Sequence, residues 1–249
     1  MGHFRGTPVG GVANVPDVNY SNVVNVRDIN ARLSVGETRP GEFLPRLQDL
    51  QRSPRQFRFS FGLDSLPEEP GVIVVRGPRQ YGKSTWLEQQ IDATVRTHGP
   101  GTAFYLNGDE VVDRGALADA VREIISLFRR DAPVRRLFID EITAVPDWQH
   151  AVKRLADSGS LRSILVVTTG SKATDLRRGS ERLPGRKGRL ARTAYLFTPI
   201  AYAEFQRVCG AALGPHTVTA YLLTGGSPIA CGHIAEGRLP EYVIEIVKD

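Results

Sequence analysis

The chain has 249 residues, 41% hydrophobic and 24% charged, with 32 Lys and Arg against 27 Asp and Glu for a net charge of +5. This is the composition of a globular protein with one large domain or two modest ones. No apolar run reaches the ~20 residues of a membrane-spanning helix, and no apolar signal core is visible, so a cytoplasmic location without membrane contact is expected. Cys209 and Cys231 are too few and wrongly spaced for a disulfide framework or a zinc site, and the five His are scattered. The cysteines are expected as buried thiols. Most of the basic residues are Arg, but an excess of +5 over 249 residues argues only weakly for nucleic acid.

Residues 1–40 alternate Gly, Pro, Asn and Val without a sustained period, as in Gly6-Thr7-Pro8-Val9-Gly10-Gly11. They are expected to form a flexible N-terminal arm, with a short helix or strand near Val23 to Leu33 left open. Residues 41–199 read as the core, which a short helix over Phe43 to Leu50 leads into. Pro67 and Pro70 bracket a turn before the first strand, Val72 to Val75. Thr102 to Leu106 reads as a second strand. Leu117, Ala120, Val121, Ile124, Ile125 and Phe128 fall at helical spacing. Arg136 to Asp140 reads as a third strand, followed by a helix capped by Asp147 and closed by Gly159. Ser163 to Thr169 is a β-branched fourth strand and Ala194 to Phe197 a fifth. Alternating helices and buried strands predict an α/β fold, a parallel sheet sandwiched by helices, with ligand beyond the carboxyl ends of the strands.

Directly after the first strand stands Gly77-Pro78-Arg79-Gln80-Tyr81-Gly82-Lys83-Ser84, followed by Thr85 and an apolar-periodic helix. The run fits the phosphate-binding loop G-x-x-x-x-G-K-[ST] at every fixed position. Its strand–loop–helix setting aims backbone N–H groups and a positive helix end at a phosphate chain. Lys83 supplies charge for the outer phosphates, and the Ser84 hydroxyl suits Mg²⁺. ATP with Mg²⁺ is the ligand this predicts.

The third strand ends in Asp140-Glu141. After a phosphate-binding loop, Asp140 is the expected Mg²⁺ partner and Glu141 the residue that orients and deprotonates water. The fourth strand runs into Thr169-Gly170-Ser171. In ATPases with such an acidic pair, an extra strand separates the loop strand from the acidic strand, which gives the sheet order 5-1-4-3-2. Thr169 and Ser171 are then candidates for sensing the γ-phosphate or the water. A hydroxyl that merely caps the next helix is the alternative at Ser171.

Five blocks, GPRQYGKST, LFIDEI with VPDWQHAVKRLADS, VVTTGSKATDL, LPGRKGRL with FTPIAYAEF, and YLLTGGSPIA, resemble in order a family of bacterial and archaeal AAA-type ATPases related to the STAND switch proteins. The resemblance spans Val72 to Ala230. It implies an ASCE-type P-loop NTPase core and a winged-helix-like lid, of which residues 200–249 would be a partial, apparently truncated start. It implies a phosphate-reaching or arginine-finger-like role for Arg186, and a lid turn that brings Pro228 against adenine. Against the first stands a solvated basic loop, because Arg177, Arg178, Arg182, Lys187, Arg189 and Arg192 crowd the same segment. Against the second stands a simple helix-ending turn.

ATP hydrolysis coupled to an unknown effector is therefore expected. A nucleotide-gated switch with negligible turnover is the alternative, and a P-loop kinase, against which Glu141 argues, is the third reading. Partners would be ATP or ADP, a homo-oligomer, and a nucleic-acid or protein effector.

Overall fold

The structure, a computed structural model, describes residues 26–38, 43–171 and 190–238. Most of the expected N-terminal arm and the stretch from Lys172 to Arg189, with Arg186, lie outside the described residues.

Five parallel strands form one sheet: β1 Gly71–Arg76, β2 Ala103–Asn107, β3 Arg136–Asp140, β4 Leu165–Gly170 and β5 Ala194–Leu196, in the order β2-β3-β4-β1-β5. Read from the other edge this is 5-1-4-3-2, the expected order. β4 therefore separates the loop strand from the acidic strand, and the β1-beside-β3 arrangement of the kinase-like class is absent. β2, β3 and β4 are buried over almost their whole length, as near-continuous apolar runs require in a sheet covered on both faces.

Helix α3 (Lys83–His98) carries the chain from β1 to the far edge at β2. Helices α4 (Arg114–Leu127) and α5 (Trp148–Asp157) bring it back one strand at a time to β3 and β4. Right-handed crossovers in opposite directions must lie on opposite faces, so α3 covers one face and α4 with α5 the other. Asp113 caps α4 by accepting from Gly115 N–H at 2.7 Å and Ala116 N–H at 2.9 Å. Asp147 stands at the N-cap of α5 in the left-handed region (φ 54°) without a side-chain capping bond. Its carboxylate faces Arg114 at 3.7 Å instead.

Part of the expected arm is ordered core. Helix α1 (Val26–Ser34) buries Ile29 and Leu33 in the main hydrophobic cluster. Its Asn30 amide accepts from Tyr105 N–H and donates to Tyr105 C=O, both at 2.8 Å. Those groups lie on the side of β2 away from β3, so Asn30 closes an otherwise open sheet edge. The residues that make this contact are spaced Ile29, Asn30, Leu33, a single helical turn too short to register as a period.

Helix α2 (Pro45–Arg52) packs on α3. After β5, helices α6 (Tyr202–Leu213), α7 (Thr217–Thr224) and α8 (Pro228–Ala235) enclose a second, smaller cluster. Phe57, Ile200, Phe205, Cys209, Ala220 and Cys231 form it, and both cysteines are buried free thiols. The segment Arg55 to Phe59 ties this unit to the core: Arg55 bonds Ala235 C=O at 2.9 Å and Arg58 N–H bonds Glu204 at 2.6 Å. No helix among the described residues is long and apolar enough to cross a membrane.

Candidate phosphate-binding and acidic site

The loop Gly77 to Gly82 turns from β1 into α3. Gln80 (φ 60°) and Gly82 (φ 95°) are left-handed. Gly82 is the N-cap of α3, and a Cβ there would stand 2.6 Å from the Phe59 ring. Only glycine satisfies both the dihedral and the contact. Lys83 is buried, and its Nζ donates to Gly77 C=O at 3.0 Å and Pro78 C=O at 2.6 Å. Burial pulls the Lys83 ammonium below its ordinary range, against the opposing pull of Glu141 and Asp140.

The sheet register explains the acidic side. Val75 of β1 pairs with Thr169 of β4, and Ile139 of β3 with Thr168. Thr169 thus lies beside both the end of the loop strand and the acidic strand end. Its hydroxyl donates to Asp140 Oδ1. The Glu141 N–H reaches Thr169 Oγ1 at 3.0 Å and Asp140 Oδ1 at 3.1 Å. These bonds hold Glu141 in the left-handed region (φ 45°, ψ 47°), where a non-glycine residue is strained. Glu141 Oε1 accepts from Thr143 Oγ1 at 2.7 Å, Ser171 Oγ at 2.7 Å and Ser171 N–H at 2.9 Å. Burial pushes the Glu141 carboxyl up, but the bonds from Thr143 and Ser171 and the charge of Lys83 outweigh it, and the net shift is downward. Ser171 spends its hydroxyl on Glu141.

A cavity of about 620 Å³ opens over the loop. Arg79, Gln80, Gly82, Lys83, Ser84 and Thr85 line it from below, Glu141 from the acidic side, and Pro228 from the start of α8. Gly77, Pro78 and Tyr81 complete the loop beneath, and Asp140 is buried at the strand end. The turn before Pro228 is left-handed at Gly225 and Gly226, and Gly226 C=O accepts from Ile200 N–H at 2.9 Å. The structure thus brings together every expected site residue except Arg186, which lies outside the described residues.

Sequence reasoning missed the wall formed by Arg46, Asp49, Leu50, Ser53, Arg55, Phe57 and Phe59. The alternating aromatics Phe57, Phe59 and Phe61 were a usable signal for a half-buried extended segment. It also missed Gly108, where a Cβ would stand 2.5 Å from Glu141 C=O. Arg46, Arg55, Arg79, Lys83 and Arg238 outnumber Asp49, Glu141 and Glu236 on the cavity wall, which favours a polyanionic occupant.

The donor set fits Mg²⁺. Ser84 on the cavity wall and Asp140, buried at the end of β3, offer hard oxygens, and Mg²⁺ takes one or two protein oxygens together with phosphate oxygens and water. Among the described residues no cluster of three or more His, Cys, Asp or Glu offers a closed all-protein metal site.

A family model described as an AAA domain matches residues 69–206. That is more than half of the chain, and the chain belongs to this family. Membership places it among the nucleotide-binding, ATPase-type P-loop proteins, and the fold agrees. The uncharacterized protein MJ1544 of Methanocaldococcus jannaschii is 28% identical over 134 residues, which cover 54% of this chain and 28% of that relative. The match therefore spans little more than a quarter of the relative's length.

Among solved structures, the Walker-type ATPase PABY2304 of Pyrococcus abyssi aligns at TM-score 0.49 and 13% identity, over 86% of this chain and 76% of that one. The ORC1 protein of Aeropyrum pernix, solved in complex with DNA, aligns at 0.46 and 16%, over 72% and 59%. A RuvB variant of Thermotoga maritima aligns at 0.45 and 14%, over 72% and 61%.

Proposed function

We propose that this chain binds ATP and hydrolyses it with Mg²⁺, as an AAA-type core related to the STAND ATPases and coupled to an effector or partner. The observation that carries the reading is that Lys83 and Glu141 line one cavity, with Thr169 joining Asp140 to the Glu141 backbone. On this reading Lys83 exchanges its two loop carbonyls for β- and γ-phosphate oxygens. Ser84 and Asp140 would hold Mg²⁺, which supplies charge neutralisation at the phosphates. Glu141 orients a water and takes its proton as the water oxygen bonds to the γ-phosphorus and the bond to the ADP oxygen breaks. Thr169 and Ser171 fix the acidic pair. Residues 200 onward act as the lid, with Pro228 toward the base, and Arg186 supplies a further charge in cis or to a second copy. A homo-oligomer and a protein or nucleic-acid effector are the partner classes, in a cytoplasmic setting.

The switch reading also has an observation in its favour. Three donors converge on one Glu141 oxygen and lower its basicity, which suits slow turnover.

Calorimetry with ATP tests the binding claim. Lys83→Ala is expected to abolish measurable binding of ATP and ADP alike. An unchanged dissociation constant would remove the proposal.

A further inference from the structure

We propose that Arg46 is a phosphate-contacting residue of the same cavity, supplied in cis from α2 and anchored by the buried Glu88, and that it reads the terminal phosphate of a nucleoside triphosphate. The inference rests on the proposed ATP binding.

Arg46 is the second residue of α2. The helix docks on α3 through Glu88, a buried carboxylate in the second turn after the phosphate-binding loop. Glu88 Oε2 accepts from Leu47 N–H at 2.8 Å, which pins the start of α2. Glu88 Oε1 lies 3.4 Å from Arg46 Nη1. Docking a helix end needs only a neutral acceptor. Glu88 offers a second oxygen besides, and that oxygen faces the Arg46 guanidinium.

That guanidinium is not consumed by the pairing. The Arg46 side chain is 51% exposed against 6% for Glu88, and it lines the cavity together with Lys83, Ser84, Thr85 and Glu141. Guanidinium offers five N–H donors in a rigid fork that matches phosphate oxygens two at a time.

Its partners distinguish it from Arg55 and Arg238. Arg55 and Arg238 both pair with Glu236, at 3.2 and 3.0 Å, on the side of helices α6–α8. Arg46 instead faces Glu88 on α3 at 3.4 Å, and the charges of Asp140 and Glu88 favour its ionised form. It shares the cavity lining with Lys83 and Glu141, where the proposed binding mode puts the β- and γ-phosphates. A cation there meets ATP's last phosphate, which ADP lacks.

The test is calorimetry of the whole chain with Mg²⁺ and either a non-hydrolysable ATP analogue or ADP. Arg46→Ala is expected to weaken the ATP analogue about 10- to 100-fold, the range for one charge-assisted contact, while ADP affinity stays at the parent value. Arg46→Lys keeps the charge and the stem and guards against misfolding. It is expected to lose ATP-analogue affinity several-fold through the missing fork, again with ADP unaffected. Equal losses for both nucleotides, or no loss for either, would overturn the inference while leaving ATP binding intact. A parent protein that binds neither nucleotide would overturn both.

Discussion

Ser171 donates both its hydroxyl and its backbone N–H to a single oxygen of Glu141, at 2.7 and 2.9 Å. The residue after the fourth strand thereby controls the charge and direction of the acid that follows the third. Both bonds favour the ionised carboxylate, so the Glu141 acid form gains population only at lower pH than usual. Ser171→Ala removes one of the two. The expected result is an acid limb of the pH–rate profile shifted toward higher pH. A profile that superimposes on the parent's would mean that the Ser171 hydroxyl has no hold on the acid.

Gly108 supports the acidic corner from behind. A Cβ there would lie 2.5 Å from Glu141 C=O and 3.0 Å from Asp140 C=O. Both neighbours are backbone, so relief requires moving the corner itself. Gly108→Ala is expected to cost about 1–3 kcal/mol of stability, as overpacking does, and to depress turnover beyond what the lost folded fraction explains. Urea titration with parallel turnover assays separates the two effects.

Asn30 is the closing group of the sheet edge. Asn30→Ala leaves Tyr105 N–H and C=O without their side-chain partners, at about 2–3 kcal/mol by the cost of unsatisfied buried groups. Nucleotide affinity of the folded fraction should not change, because Asn30 is no part of the cavity wall. Denaturant melts with and without ATP check both halves.

Glu88 carries a pH signature. Burial outweighs Arg46 and Leu47 and raises its carboxyl from 4.5 to about 7. The folded state then holds a proton that the unfolded chain releases near 4.5. This contribution to stability is fully present below pH 4.5 and is lost as pH rises to about 7. Glu88→Gln should remove that slope, on the order of 2–3 kcal/mol between the two ends. Stability measured at pH 5 and pH 8 for both proteins reads the difference, and parallel pH dependences would contradict it.

The strands and the phosphate-binding loop were legible because their signals are local. The loop has fixed spacing, and apolar β-branched runs such as Ile164 to Val167 mark buried strands without reference to the rest of the chain. The acidic pair and Thr169 could be brought together on paper because the strand order is set by their class. The missing parts are tertiary. Asn30 is a polar residue in a short helix, and nothing in its neighbours announces a bond to Tyr105, 75 positions away. Arg46 and Glu88 are one Arg and one Glu among many, and only the docking of α2 on α3 makes them a pair. The sequence allows a short helix near Val23 to Leu33, and α1 (Val26–Ser34) is that helix; the irregular Gly- and Pro-rich stretch before it gives no sign that Ile29 and Leu33 join the main core.

Single-turnover hydrolysis of ATP by the parent and by Glu141→Gln tests the central claim most directly. The amide fills the same space and still accepts from Ser171 and Thr143, but it cannot take the water's proton. Parent-like ATP affinity is expected in the variant, with hydrolysis slower by about 10²–10⁴-fold, the usual contribution of a general base. A variant that hydrolyses ATP at the parent's rate would contradict it.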